Sequence, residues 1–319
     1  MNREQKVCEE EVVPTMNQEE EQEEEQKHGF DIRIVRYEQI HNITDEQFDK
    51  LSQIVDVMPG DTILDAGAGY GGVTIALIER NLNKLDNVVF WLSDISSVQM
   101  GMAVKEVSEK LKSEGLELKG SELKGWRELE GKGPDSCVKV NFVFDNVIKS
   151  KFSDEKFDKV VAKMLIHEIK KECQQKAIDQ LYRILKPGGK LIIWDVLLAP
   201  ENQSIIQSIV REKDKLAGYT DLVKNRYLFT EEEIMEMLRR AGFSNIKKEL
   251  DIPYTLRTDS RLQCEFKGDK GKLNQWNEFI RNKMQDESLG LHKSLKYRET
   301  PDYVTVTFPK GIISCIKPY

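Results

Sequence analysis

Between residues 62 and 198, short apolar runs alternate with stretches whose apolar positions recur every three or four residues. The runs at 62–64, 88–92, 138–144, 159–165 and 190–198 have strand length and are apolar on both faces. Helical spacing fills 98–112 and 168–185, and Lys186-Pro187-Gly188-Gly189 stops the second of these. Upstream, Thr44 through Gln47 has the spacing of a capping box ahead of Phe48, Leu51, Ile54 and Val55. Pro59-Gly60-Asp61 then turns the chain into the first strand. Downstream, Thr230 caps a helix that carries Ile234, Met237 and Leu238 and ends at Gly242. Strands apolar on both faces and separated by helices predict an α/β, doubly wound, mostly parallel sheet covered on both sides.

Four stretches fall outside that rhythm. Residues 113–136, rich in Gly, Lys and Glu, predict an exposed excursion. Within 201–229, Ile205, Ile206, Ile209 and Val210 predict an amphipathic helix. Residues 257–301 hold one helical segment around Trp276, Phe279 and Ile280, and 303–316 read as two β-like runs joined at Pro309-Lys310-Gly311. The expected organisation is a disordered acidic tail at 1–28, a core at 29–256 and a C-terminal extension at 257–319.

Charge sharpens this picture at one end. Residues 1–28 hold ten Glu against Arg3, Lys6 and Lys27, which accounts for the whole net charge of −7. Such a segment buries too little apolar surface to offset its ordering entropy. It serves as a solubilising tail or as a partner-binding segment. The remaining body is close to neutral, so no clear nucleic-acid surface is expected. No apolar run approaches the roughly 18 residues of a membrane span, and a cytoplasmic protein is the expectation. Cys8, Cys137, Cys173, Cys264 and Cys315 are scattered without a CxxC pair, so neither a disulfide framework nor a metal site is expected.

The candidate chemistry starts at Ile63-Leu64-Asp65-Ala66-Gly67-Ala68-Gly69-Tyr70-Gly71-Gly72-Val73, an apolar strand running into a glycine-rich turn that opens a helix. Glycines there let a ligand approach the backbone, and the helix start offers amide donors. Asp94 ends the second strand, placed to accept from both hydroxyls of a ribose, and Asp145 ends the third. All three carboxylates fall at strand carboxyl ends, where open α/β sheets bind ligands.

On these residues the chain resembles the class I S-adenosylmethionine-dependent methyltransferases, in particular the branch with small-molecule substrates. The resemblance covers roughly 30–256. It implies a Rossmann-like, seven-stranded sheet with a C-terminal antiparallel strand, S-adenosyl-L-methionine as cofactor and a small-molecule acceptor. It places Asp65, Gly67, Ala68 and Gly69 against the amino-acid end of the cofactor, Asp94 at the ribose, Ile95 beside the adenine, and Asp145 with Asn146 at the adenine amino group. The stretch from Phe157 through Leu165-Ile166-His167-Glu168 resembles the family's fourth-strand motif and brings Met164 to the cofactor. Leu185 through Leu191, Arg226-Tyr227-Leu228 and Ala241-Gly242-Phe243 also match. The chain departs from the pattern at Asn146, where a small residue is usual, and at Glu168, where a second His is frequent. The long excursion at 113–136 is unusual for the family, and the region after Arg257 has no recognised counterpart.

His167, following the fourth strand, is the candidate general base, with a backbone-bonded helix-start histidine as the plain alternative. Asp195, inside the fifth strand, approaches the acceptor or pairs with Lys163. Tyr37 and His41 are weaker candidates for folding over the cofactor. Tyr219, Arg226 and Tyr227 are the substrate-side candidates, since segments after the fifth strand roof the pocket in the resembled family. Three other readings stay open: a nucleic-acid or protein methyltransferase, a nicotinamide-dependent oxidoreductase on the same fold, and a non-enzymatic cofactor sensor or scaffold.

Overall fold

The computed structural model describes residues 31, 43–123, 126–133, 137–285 and 290–319. The acidic tail with His28, the start at Phe30, and Tyr37 and His41 lie outside the described residues.

Among the described residues from 43 on, a capped helix precedes the sheet. Helix α1 (Asp45–Val55) starts at Thr44, whose side chain accepts from the Gln47 N–H while Gln47 reaches back to the Thr44 N–H. Then β1 (Thr62–Ala66), α2 (Gly72–Arg80), β2 (Val88–Asp94) and α3 (Ser97–Ser113) alternate. A hairpin follows, β3 (Glu117–Leu123) and β4 (Trp126–Lys132), before β5 (Cys137–Phe144) and β6 (Phe157–Lys163). Helix α4 (Lys171–Ile184) runs into β7 (Leu185–Val196). Helices α5 (Pro200–Ala217), α6 (Thr220–Asn225) and α7 (Glu231–Ala241) precede β8 (Ser244–Asp251). The chain closes with β9 (Tyr254–Arg257), α8 (Lys270–Met284), α9 (Leu291–Ser294), β10 (Arg298–Glu299), β11 (Val304–Phe308) and β12 (Lys310–Ile316).

Nine strands form the main sheet in the order β3-β4-β5-β2-β1-β6-β7-β12-β8. Strands β5, β2, β1, β6 and β7 are mutually parallel, and β12 runs antiparallel to both β7 and β8. The expected seven strands are present, and the hairpin adds two. Neighbouring strand residues feed opposite cores, as a period of two requires. Ile63, Val161 and Ile192 pack with α1, α2 and α3, while Leu64, Val160, Leu191 and Ile193 pack with α4 and α7.

Three sequence expectations change. Residues 113–136 are not a plain exposed excursion: Glu117–Lys132 pair as a hairpin whose β4 lies antiparallel along β5 from Cys137 to Val143. Polar residues hid the strands, because a hairpin at a sheet edge needs backbone pairing more than apolar side chains. The fourth helix starts at Lys171, since Ile166–Glu168 first make a 3₁₀ turn. The two closing β-runs, finally, separate into different sheets. Strand β12 inserts beside β7, whereas β11 joins β9 and β10 in a second, three-stranded sheet. That small sheet starts at Tyr254 and shares a third core with α5 and α8, built on Ile206, Ile209, Leu256, Trp276, Ile280 and Val306. It lies against the carboxyl-end side of the strands through Val196 and Leu198, just past β7.

Candidate cofactor and acceptor site

A cavity of about 220 Å³ opens along the carboxyl ends of β1, β2, β5 and β6 and continues beneath the small sheet. Its outer half is the glycine turn. Gly67, Gly69 and Gly71 all take positive φ, at 66°, 56° and 80°. A Cβ on Gly67 would lie 2.7 Å from Leu165 Cδ1, so the turn has room for backbone only. Gly71 caps α2 and packs where a Cβ would meet Leu92 and Val107. The cradle thus presents bare main chain to whatever lies in the cavity.

Three carboxylates line this half: Asp65, Asp94 and Asp145. Asp65 Oδ2 accepts from the Thr74 N–H (3.2 Å) and hydroxyl (2.9 Å), tying the loop to α2. Burial raises its carboxyl, against those two hydrogen bonds and Lys163, to about 6. Asp94 accepts from the Gly69 N–H and the Ser96 N–H, each at 2.9 Å and on different oxygens. Asp145 accepts from the Lys151 N–H at 2.8 Å, and burial lifts its carboxyl above the usual range. Asn146 accepts from the Ile148 N–H and caps a short 3₁₀ turn. Ala68, Ile95, Asn146 and Met164 also line the cavity. Met164 holds φ at 55°, a left-handed conformation that costs about 1–3 kcal/mol in a non-glycine residue and clusters at functional sites.

The inner half is walled by Val196, Val210, Leu228, Leu256, Trp276 and Phe308, with charged groups among them. His167 reaches it, buried in the turn after β6. Its Nδ1 lies 2.6 Å from Asp195 Oδ1, and its Nε2 lies 3.4 Å from Glu168 Oε1. Burial alone would push the imidazole down, but the two carboxylates outweigh it and raise it to about 9. Both ring nitrogens face carboxylates, an arrangement that favours the protonated ring.

Asp195 and the substrate-side candidates have defined places as well. Asp195 pairs with His167 instead of Lys163, and it also accepts from the Ile166 and Val196 N–H groups. It is a positioning group behind the turn, wholly buried. Of the substrate-side trio only Arg226 lines the cavity. Its guanidinium grips Glu168 with two 2.8 Å contacts and reaches Asp214 Oδ2 at 2.7 Å. Tyr227 faces α7, where its hydroxyl donates to Glu233 and accepts from Lys171 and Gln203. Tyr219 sits at the start of α6, away from the cavity.

Sequence reasoning missed Lys163 and Gln99 on the outer side and, more seriously, Lys213, Tyr254, Arg261, Trp276, Phe308 and Lys310 on the inner side. Arg261, Trp276, Phe308 and Lys310 come from the region after Arg257, which carries no recognisable motif, and only folding brings their separate elements to the cavity. Pro253-Tyr254, a strand start beside the last parallel element, was the one available signal.

A family model described as a methyltransferase domain matches residues 34–248. The chain is 25% identical over 205 residues to a ubiquinone/menaquinone biosynthesis C-methyltransferase UbiE from Hydrogenovibrio crunogenus, covering 60% of this chain and 68% of that protein. It is also 25% identical over 211 residues to phosphoethanolamine N-methyltransferase 2 of Caenorhabditis elegans, covering 66% of this chain and 38% of that one. Across such curated relatives the chain spans from about a quarter to about two thirds of their length. The crystal structure of the YcgJ protein from Bacillus subtilis superposes with a TM-score of 0.62 at 15% identity, over 86% of this chain and all of that one, which shows a shared fold. With the family model spanning most of the sheet, the chain belongs to the class I S-adenosylmethionine-dependent methyltransferases.

Proposed function

We propose that this protein transfers a methyl group from S-adenosylmethionine to a small-molecule acceptor held in the inner half of the cavity. The observation that carries this reading is the continuity of one cavity from the glycine turn to a chamber roofed by α5 and the small sheet. A recessed chamber of this size suits an acceptor of metabolite size.

The side chains suit the cofactor. Gly67 and Gly69 offer bare backbone to its amino-acid end, and the Asp94 carboxylate, at the end of the neighbouring strand, accepts from the ribose diol. Asp145, Asn146 and Ile95 flank the adenine, and Asp65 and Met164 hold the turn from either side. The cofactor supplies an activated methyl on a sulfonium. What remains for the chain is placement: fixing the acceptor in line and excluding water. Buried Trp276, Phe308 and Leu256 give the chamber an apolar wall. His167, as a clamped imidazolium, orients the turn after β6 and adds positive charge at the chamber wall instead of acting as a base.

The test is a methyl-transfer assay over a metabolite set, read by release of S-adenosylhomocysteine and paired with calorimetric binding of S-adenosylhomocysteine. Asp94→Ala is expected to weaken that binding by about tenfold or more, the worth of a charge-assisted hydrogen bond. Unchanged affinity in that variant would overturn the ribose assignment. Methylation of RNA or protein, but of no metabolite, would overturn the small-molecule reading.

A further inference from the structure

The inner half of the cavity carries both charged groups and an apolar wall, and the charged groups already hold one another. Arg226 is bound to Glu168 and Asp214, Lys213 to Asp214 and Glu265, and His167 lies between Asp195 and Glu168, all at 2.6 to 3.4 Å. Arg261 donates to the Tyr254 hydroxyl at 2.8 Å, and Lys310 Nζ lies 4.6 Å from the centre of that ring. Cations and carboxylates alternate along this side of the chamber. A charged ligand group would have to draw a member out of a buried pair, which leaves the other member uncompensated.

The apolar wall makes no such demand. On the small sheet, Leu256 is paired with Val306 and Tyr254 with Phe308, so these four side chains share one face. Leu256 and Phe308 bring that face to the cavity. Trp276 joins them from α8. Its indole N–H donates to the Ile209 carbonyl at 3.0 Å, and its ring meets Phe266 edge-on at 5.8 Å. An indole has no second polar group, so the surface that Trp276 gives to the cavity is carbon. Phe308 stands edge-on to Tyr254, with ring centres 6.3 Å apart. Val210 of α5, half-buried, lines the same half. Leu256, Trp276 and Phe308 all lie beyond residues 34–248, which the methyltransferase model matches, so this wall belongs to the C-terminal layer.

We propose that the C-terminal layer selects the acceptor by its apolar body: an uncharged ring, aromatic or alicyclic, seated against Leu256, Trp276 and Phe308, with Val210 setting its width. This rests on the reading of the cavity as cofactor site plus acceptor chamber, and it names the class of acceptor. Aromatic side chains already fixed by their neighbours lose little freedom when a ring packs on them. Burying that ring removes apolar surface from water on both partners without disturbing an ion pair.

The experiment uses the full chain saturated with S-adenosylhomocysteine and titrated calorimetrically with benzyl alcohol, benzoate, benzylamine and glycerol. Benzyl alcohol is expected to bind about tenfold or more tightly than glycerol, and more tightly than either charged analogue. Val210→Phe narrows the chamber and is expected to weaken benzyl alcohol by about fivefold or more. Val210→Ala widens it and is expected to shift the preference severalfold from benzyl alcohol towards naphthylmethanol. S-adenosylhomocysteine affinity within about twofold of wild type reports that each variant is folded. Glycerol within tenfold of benzyl alcohol, a charged analogue binding best, or probe affinities indifferent to both Val210 substitutions would each overturn the inference. If S-adenosylhomocysteine itself fails to bind wild type, the methyltransferase reading fails instead, so the two failures are distinct.

Discussion

His167 illustrates how a residue's chemistry depends on what the fold puts behind it. Its position after the fourth strand is legible in the sequence, and it does line the cavity. Its protonation state is not legible, because Asp195 and Glu168 reach it only once β7 and the turn after β6 lie side by side. The raised value of about 9 against an ordinary 6.5 has a testable consequence for stability. Below pH 6.5 the imidazole is protonated in both folded and unfolded chains, and the clamp contributes fully. Between 6.5 and 9 only the folded state keeps the proton, so the contribution fades as pH rises and is gone above about 9. The melting difference between wild type and His167→Gln is therefore expected to shrink across that window, by the equivalent of on the order of 3 kcal/mol. A difference independent of pH would mean that His167 is neutral in the folded protein.

At the scale of elements, the turn between β1 and α2 can be separated from generic glycine strain. Gly67 and Gly218 both hold positive φ, at 66° and 84°. A Cβ on Gly67 would strike Leu165, whereas nothing lies within 4 Å of one on Gly218, the C-cap of α5. Gly67→Ala and Gly218→Ala should each lose about 1–2 kcal/mol in chemical denaturation from the left-handed backbone. Only Gly67→Ala should also weaken S-adenosylhomocysteine binding severalfold, since its turn must shift away from Leu165. Equal affinity in the two variants would remove the turn from the binding site. The same scale explains what the chain reveals before folding. The five parallel strands and capped helices announce themselves through apolar runs and through Thr44 and Thr230, because buried strands and helix starts have strict side-chain demands. The β3–β4 hairpin and β9–β11 have no such demands. A hairpin pairing through backbone at an edge tolerates Lys and Glu, and β9 and β11 bury only every second residue, a demand that few residues suffice to meet. For the site, the outer half was legible because a glycine turn and strand-end acids are local signals. The inner half was not, since Lys213, Arg261, Trp276 and Lys310 come from four separate elements.

Across the whole molecule, one string of alternating charges ties the main sheet to the C-terminal layer. It runs Asp195, His167, Glu168, Arg226, Asp214, Lys213, Glu265, Arg261, with successive partners between 2.6 and 3.6 Å apart. The first three members stand on β7 and the turn after β6, the next three lie on or follow α5, and the last two belong to the segment before α8. The crossing point is Lys213 to Glu265, both buried, at 2.8 Å. Removing one member of a buried pair strands the other's charge, so Lys213→Met and Glu265→Gln should each destabilise by about 3–5 kcal/mol in urea unfolding. Removing both strands less charge, and the double variant should be more stable than the summed losses by at least about 1.5 kcal/mol. Because this contact joins two layers that otherwise meet through the apolar core of Ile209 and Trp276, the single variants should also unfold with a shallower denaturant slope as the C-terminal layer loosens first. Strict additivity with an unchanged slope would mean that the apolar core alone couples the two layers, and that the charge string serves the chamber and not the fold.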